Sequence, residues 1–133
     1  DLARAADTAG VAFRPGDVPC LHTGWGRHYV TDNERYVTGE PGIDEAAARW
    51  LTARDVVAVG ADSMAVEVIP NPQHPKIMMP VHQHCLVEAG VYLIENLFMD
   101  ELVRDGVHEF CFILLPTPFK GATGSPAQPI AMV

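Results

Sequence analysis

The stretch that decides the fold is residues 80–97, PVHQHCLVEAGVYLIENL. Proline suits the first turn of a helix and glycine is typical just past its end, so residues 80–89 are predicted to form a helix that Gly90 closes. The apolar residues after Gly90 predict a strand. The helix rises about 12 Å from His82 to Gly90, and five strand residues return about 16 Å. These similar lengths predict that Glu95 lies beside His82, at one end of the pair.

A histidine and a carboxylate brought together in this way can bind a divalent metal or share a proton with a substrate. A catalytic zinc site takes three protein ligands, so further ligands would have to come from elsewhere. The alternative is a pairing without function, because a histidine near a helix start and a glutamate near a strand end are both common. His84 and Glu88 lie four apart on the same helix, and we interpret them as a solvated surface contact rather than as metal ligands.

The remaining sequence alternates helical and strand patterns, which predicts an α/β layer structure. Periodicity and end signals predict helices at residues 2–9, 43–53 and 98–104 and strands at residues 18–23, 55–60, 91–94, 108–115 and 130–133. Two long loops are predicted at residues 24–42 and 61–79, and long loops in compact domains are often functional. A chain of 133 residues is expected to form one domain, residues 1–133.

Composition excludes several classes of function. The net charge of −8 repels phosphate backbones, so a nucleic-acid partner is not expected. The longest apolar run, residues 110–115, is far short of the roughly 20 residues that span a bilayer, so a membrane partner is not expected either. The three cysteines, Cys20, Cys85 and Cys111, form no CxxC pair. They predict reduced, buried thiols in a cytoplasmic protein rather than disulfides or a structural zinc site.

Trp25 and Asp62 are candidate pocket residues. Trp25 lies between two glycines, which let the backbone pack closely and leave the indole free to wall a pocket; an ordinary core tryptophan is the alternative. Asp62 follows the strand at residues 55–60, at a carboxyl end where α/β sheets often bind ligands. It could instead satisfy backbone groups of the following turn.

Two further clusters are weaker candidates. His22, His28 and Asp32 superficially resemble a ligand set, but their spacing across a strand end and a loop fits no regular metal geometry. Residues 121–126, GATGSP, form a small-residue segment whose amides and hydroxyls could contact a ligand, and Ser125 is its predicted pocket residue. A tight turn between strands is the competing interpretation.

The order of these motifs resembles the cyclase family of metal-dependent hydrolases, the group that includes kynurenine formamidase and isatin hydrolase. The resemblance runs over essentially the whole chain. It rests on the segments at residues 15–17, 23–25, 41–43, 59–63, 81–97, 110–116, 121–126 and 129–131. It is a resemblance to the carboxy-terminal part of the family, because the family's His-x-Gly-Thr-His-x-Asp metal motif has no counterpart here. The chain is therefore expected to begin after that motif.

The resemblance implies a swivelling β/β/α fold, incomplete because the amino-terminal part of the family fold is absent. It implies a divalent metal ion, zinc or manganese, and hydrolysis of a cyclic or N-acyl amide in a small-molecule substrate through metal-activated water. His82 and Glu95 would be the metal ligands and catalytic residues that this chain supplies. A homo-oligomer is expected, since relatives often build sites across subunits.

Two departures from the family pattern bear on this expectation. Gln128 stands where the family usually has arginine, which removes a fixed charge. The spacing from His82 to Glu95 is one residue longer than in some relatives. The alternative function is a non-catalytic remnant of the family that binds a small molecule or a partner subunit without turnover.

Overall fold

The structure, a computed structural model, describes residues 1–73 and 75–133. The chain forms two compact units, Asp1–Asp100 and Glu101–Val133; the single domain expected over residues 1–133 stays a prediction. Helices and strands alternate along the chain, which confirms the α/β prediction.

A three-stranded parallel sheet forms the centre of the first unit. Its strands are β1 (Cys20–Leu21), β2 (Ala58–Ala61) and β3 (Tyr92–Ile94), in the order β1-β2-β3. The register pairs Gly60 with Cys20 on one side and with Ile94 on the other. All four residues of β2 are buried, as expected for a central parallel strand covered on both faces. The carboxyl ends of the three strands therefore lie at one edge of the sheet.

Helices pack on this sheet through an apolar core that includes Leu51, Val59, Val81 and Cys85. The helices of the first unit are α1 (Leu2–Ala9), α2 (His28–Thr31), α3 (Asn33–Tyr36), α4 (Glu45–Thr52) and α5 (Pro80–His82). Asp44 caps α4, because its side chain accepts a hydrogen bond from the Ala47 amide at 2.8 Å. A 3-10 helix, Trp25–Arg27, precedes α2.

The predicted helix at residues 80–89 is present but is only partly an α-helix. Its first three residues form α5, and the next seven, Gln83–Ala89, form a π-helix. Gly90 closes it with φ 69°, in the left-handed region. A π-helix closes each hydrogen bond over one residue more than an α-helix does.

The prediction of one long loop at residues 24–42 is wrong, since this stretch holds the 3-10 helix, α2 and α3. These helices are single turns of three or four residues, too short to show an apolar period in the sequence. Asp32 caps α3 through the Arg35 amide at 3.2 Å. The second predicted loop forms isolated bridges through Ile69 and Glu67 in its described residues.

The second unit contains an antiparallel pair, β4 (Cys111–Ile113) and β5 (Ile130–Met132), in which Phe112 pairs with Ala131. Helix α6 (Asp100–Arg104) leads into this unit. Cys111 is exposed, so the prediction of a buried thiol is wrong there, because a two-stranded ribbon leaves its faces open. No helix in the described part of the chain is long and apolar enough to cross a membrane.

Candidate functional site

His82 and Glu95 lie side by side at the carboxyl edge of the sheet. His82 is the last residue of α5, and Glu95 directly follows β3. The imidazole Nε2 lies 3.4 Å from Glu95 Oε1. The structure therefore brings together the two side chains that helix and strand lengths predicted to be neighbours. Both are accessible, with 24% of the His82 side chain and 44% of the Glu95 side chain exposed.

Glu67 is the member of this site that sequence reasoning missed. Its Oε1 lies 2.6 Å from His82 Nδ1 and 3.1 Å from the His82 amide nitrogen, and its Oε2 accepts from the Val81 amide at 3.2 Å. Only 1% of the residue is exposed. The apolar residues around Glu67, in the run Ala-Val-Glu-Val-Ile, were the one sequence feature that could have indicated it. A glutamate in such a run must find hydrogen-bond donors if the run is buried.

His82 therefore sits between a buried and an exposed carboxylate. The hydrogen bond to Glu95, followed by the hydrogen bond and charge of Glu67, raises the pKa of His82, and partial burial opposes this only in part. A raised pKa keeps the imidazolium populated closer to neutral pH, where it can give a proton to a departing group. The arrangement is thus suited to moving a proton at Nε2.

Asp62 organises the loop that faces this edge of the sheet. Its Oδ1 accepts from the Thr23 amide at 2.9 Å and from Thr23 Oγ1 at 2.7 Å, while its Oδ2 accepts from the amides of Gly24 at 2.8 Å and Gly26 at 3.3 Å. The side chain satisfies backbone groups, as the alternative interpretation proposed, but in the loop after β1 rather than in the following turn. A Cβ on Gly26 would lie 2.9 Å from the Asp62 carbonyl oxygen, so glycine permits this approach.

A cavity of about 440 Å³ opens beside this loop. The cavity is lined by apolar, polar and charged residues: Gly26, Arg27, Tyr29, Val30, Asp62, Asn96, Leu97, Phe98 and Asp100. Asp62 was predicted to line a pocket, and the structure places it here. Asn96, the residue after Glu95, lies in the same wall.

Trp25 packs within the loop and is not among the described residues that line this cavity. Its ring lies 4.9 Å from that of His28, and the Arg35 guanidinium lies 5.4 Å from the ring centre. Its Nε1 donates to the Tyr36 carbonyl at 3.4 Å. These contacts correspond to the packing alternative for this tryptophan.

The other predicted side chains have partners other than His82 and Glu95. Ser125 belongs to the second unit, and its hydroxyl donates to the neighbouring Pro126 carbonyl at 2.9 Å. His22 Nε2 lies 3.4 Å from Asp100 Oδ1 and 3.9 Å from Asp62 Oδ2, two residues that line the cavity, while His28 is buried against Trp25. Residues 1–73 and 75–133 contain no group of three or more His, Cys, Asp or Glu side chains that could hold a metal ion.

The pair of His84 and Glu88 is present, at 2.9 Å, but it is not a surface contact as predicted. His84 is only 7% exposed, and its Nε2 lies 2.9 Å from Thr52 Oγ1 on α4. The tertiary contact between α4 and the π-helix buries this histidine, which the sequence spacing of four could not reveal.

Buried negative charge surrounds the site. Besides Asp62 and Glu67, Glu40 is buried and accepts from the amides of Met64 at 2.7 Å and Ala65 at 2.6 Å. Burial nevertheless raises the pKa of Glu40. Burial, with the charges of Glu40 and Asp62, also raises the pKa of Tyr36 to about 12. The Tyr36 hydroxyl bonds to Asn96 Oδ1 and so restrains the residue after Glu95.

Comparison with known proteins identifies the family. The Cyclase family model matches residues 1–68, which is half of the chain. A crystal structure of a novel cyclase is similar at a TM-score of 0.85 and 28% sequence identity, over 99% of this chain and 44% of that one. The chain thus spans less than half the length of that protein. On the matched segment and the shared architecture, this protein belongs to the cyclase family.

Proposed function

We propose that this chain is part of a metal-dependent hydrolase that cleaves an amide bond, with His82 and Glu95 at its reacting site. Family membership supports an enzyme. The observation that carries the proposal is the approach of His82 Nε2 to Glu95 Oε1 at 3.4 Å, on the carboxyl edge of a parallel sheet. Ligand sites of open α/β sheets are commonly found at this edge.

The donor atoms of this pair fit a divalent metal. Imidazole nitrogen and carboxylate oxygen are both zinc ligands, with bonds of about 2.0–2.2 Å, so two ligands of a tetrahedral ion lie about 3.4 Å apart. His82 and Glu95 already have this separation. Because a catalytic zinc site takes three protein ligands, the proposal requires at least one more ligand from outside the described residues. When bound, the metal would polarise the amide carbonyl and activate water.

The chain's own residues would handle the proton and the substrate. Glu67 holds Nδ1 of His82, which leaves the Nε2 lone pair free for the metal. Glu95 is the exposed carboxylate that would either complete this ligand pair or, when it is not coordinated, take a proton from the attacking water and give it to the departing amine. The cavity beside the Asp62-held loop is of the size that binds small molecules, within the common range of about 300–1,000 Å³. A cyclic or N-acyl amide is the proposed substrate class.

The proposal extends to the whole protein. It includes a swivelling β/β/α fold, zinc or manganese as the metal, a cytoplasmic location and a homo-oligomer whose second copy could supply the missing ligand. The proposed fold and ligand set follow from family resemblance.

Metal content of the purified protein tests the proposal. We expect elemental analysis after loading with Zn²⁺ or Mn²⁺ to show bound metal, and Glu95→Gln to lower the bound amount. Glu34→Gln on α3 is the matched control, since that glutamate is exposed and should leave metal binding unchanged. Amide hydrolysis is then followed on N-acyl and cyclic amides. Equal metal content in all three proteins would reject the proposed role of Glu95.

The second candidate function is a non-catalytic binding module. It is favoured by the observation that residues 1–73 and 75–133 contain no group of three or more His, Cys, Asp or Glu side chains that could hold a metal ion. It predicts that a small molecule binds in the cavity and shields Asp62 and Asn96 from solvent. It also predicts that the metal-loaded protein hydrolyses no amide. Turnover in the metal-loaded protein would exclude it.

A further inference from the structure

Glu67 is a buried carboxylate whose hydrogen bonds serve the start of one helix. It accepts from the amides of Val81 and His82 and from the imidazole Nδ1. Burying a carboxylate is costly unless several donors compensate it. Two of these donors are backbone amides at the start of α5, where the orphan amides of a helix need acceptors. The third is the side chain that the proposed function places at the reacting site.

The backbone immediately before Glu67 is strained. Val66 has φ 63, and the Glu67 amide donates to the Ala65 carbonyl at 2.6 Å. A hydrogen bond across one residue of positive φ is the classic γ-turn, which is rare and strained. Positive φ in a β-branched residue is a marked outlier. Such strain persists only when the surrounding structure over-determines the conformation, and it is concentrated at functional sites.

Residues 40–43 hold this turn in place from the other side. The Ile43 amide donates to the Val66 carbonyl at 3.0 Å, and Ile43 accepts from the Val68 amide at 3.0 Å. Gly42 lies directly against the turn, where a Cβ would overlap the Val66 carbonyl oxygen and the Glu67 carbonyl carbon. Glycine is therefore required at position 42 for the turn to keep its conformation. We name Gly42, Ile43 and Val66 the γ-turn clamp.

We propose that Glu67 is the positioning residue for His82, and that the γ-turn clamp sets its direction. A carboxylate can only accept, so its contact of 2.6 Å places the hydrogen of the neutral ring on Nδ1. The lone pair then lies on Nε2, the atom that faces Glu95. Without Glu67 the ring could rotate or change tautomer, and Nε2 would no longer be held as the available atom. Carboxylate partners of this kind orient reactive histidines.

The tautomer of His82 in the metal-free protein tests this inference directly. We expect long-range ¹H–¹⁵N NMR spectra, recorded above the pKa of His82, to show the Nδ1–H form in the wild type. In Glu67→Gln one amide oxygen must serve three donors, so the population of this form should fall. Gly42→Ala keeps every hydrogen-bonding group but displaces the turn, and it should have the same effect. Glu34→Gln is the control that should leave the His82 signals unchanged.

Zinc affinity is the second readout. Isothermal titration with Zn²⁺ should show a dissociation constant about 10–100-fold weaker in Glu67→Gln and Gly42→Ala, the usual cost of losing such a partner. Glu67→Asp retains the charge but shortens the side chain, and it should also lose the Nδ1–H form. Circular dichroism identifies any variant that does not fold, and the remaining variants then carry the comparison.

The two readouts separate this inference from the proposed function on which it rests. In one outcome, the wild type binds no zinc but shows the Nδ1–H form, and that form is lost in the variants. This result would contradict the metal proposal and support the positioning role of Glu67. A wild-type His82 in the Nε2–H form would overturn the inference without any variant. So would folded variants that keep both the Nδ1–H form and the wild-type zinc affinity.

Discussion

At the scale of single residues, this protein places one histidine between two carboxylates of different exposure. Glu67 is buried and holds the ring, whereas Glu95 is accessible and can exchange partners. A proton on His82 is stabilised from both sides in the folded chain, and this stabilisation is absent when the chain unfolds. The contacts of His82 with Glu67 and Glu95 therefore make the stability of the protein depend on pH.

The pH dependence of stability follows from the raised pKa of His82. Since the folded protein binds this proton more tightly, the stabilisation is fully present below the unfolded pKa of about 6.5 and is lost as pH rises through the higher folded pKa. We expect the free energy of unfolding of the wild type to exceed that of His82→Asn most at acidic pH. Urea unfolding of both proteins across a pH series measures the difference. A difference that grows with pH would contradict this origin.

At the scale of elements, loops and helix starts are held by buried carboxylates rather than by long runs of secondary structure. Glu40 holds residues 64–65, Asp62 holds residues 23–26, and Glu67 holds the start of α5. Each carboxylate satisfies backbone amides that would otherwise be left unpaired. The segments around the site are thus ordered by polar contacts between distant parts of the chain.

The loop held by Asp62 gives the prediction at this scale. Asp62→Ala removes an acceptor from three backbone amides and one hydroxyl. A buried donor left unsatisfied costs about 1–3 kcal/mol. The exposed side of the loop can relax and so reduce the total cost. We therefore expect the free energy of unfolding, measured with urea, to fall by roughly 2–4 kcal/mol.

The matched control is Asp7→Ala on α1, an exposed aspartate for which we expect a change within about 0.5 kcal/mol. The loss of unfolding free energy in Asp62→Asn should lie between those of Asp62→Ala and Asp7→Ala, because asparagine keeps one acceptor oxygen. A loss in Asp62→Ala no larger than that in Asp7→Ala would show that the loop finds other acceptors.

At the scale of the whole molecule, the first unit has a buried core around a parallel sheet and the second is a mainly exposed ribbon. The three thiols report this difference. Cys85 is fully buried and Cys20 is half-buried, and burial raises the pKa of each thiol to about 11. Cys111 lies exposed on β4.

Thiol labelling with Ellman's reagent should therefore count one fast-reacting cysteine in the native protein and all three in denaturant. The thiolate is the reactive form, so a raised pKa and burial both slow Cys20 and Cys85. Cys111→Ser should remove the fast reaction and leave the slow ones. A fast reaction that survives in this variant would mean that the first unit opens on the timescale of labelling.

Much of the architecture could be predicted from local patterns. The end signals around α1 and the apolar periodicity of α4 depend on neighbouring residues, and both helices lie within two residues of their predicted bounds. The short helices between Gly24 and Gly42 could not be predicted, because single turns carry no period and depend on contacts such as the Asp62 hydrogen bonds to their loop.

The sequence by itself determined the neighbours His82 and Glu95, because a helix and a returning strand of similar length must bring their far ends together. It also determined the family, through the order of motifs along the chain. Only the tertiary structure decided that Glu67 is the third member of the site and that Asp62 holds the loop after β1. Those contacts join segments 15 and 39 residues apart, and hydrogen bonds over such separations depend on the packing of the whole unit rather than on any local pattern.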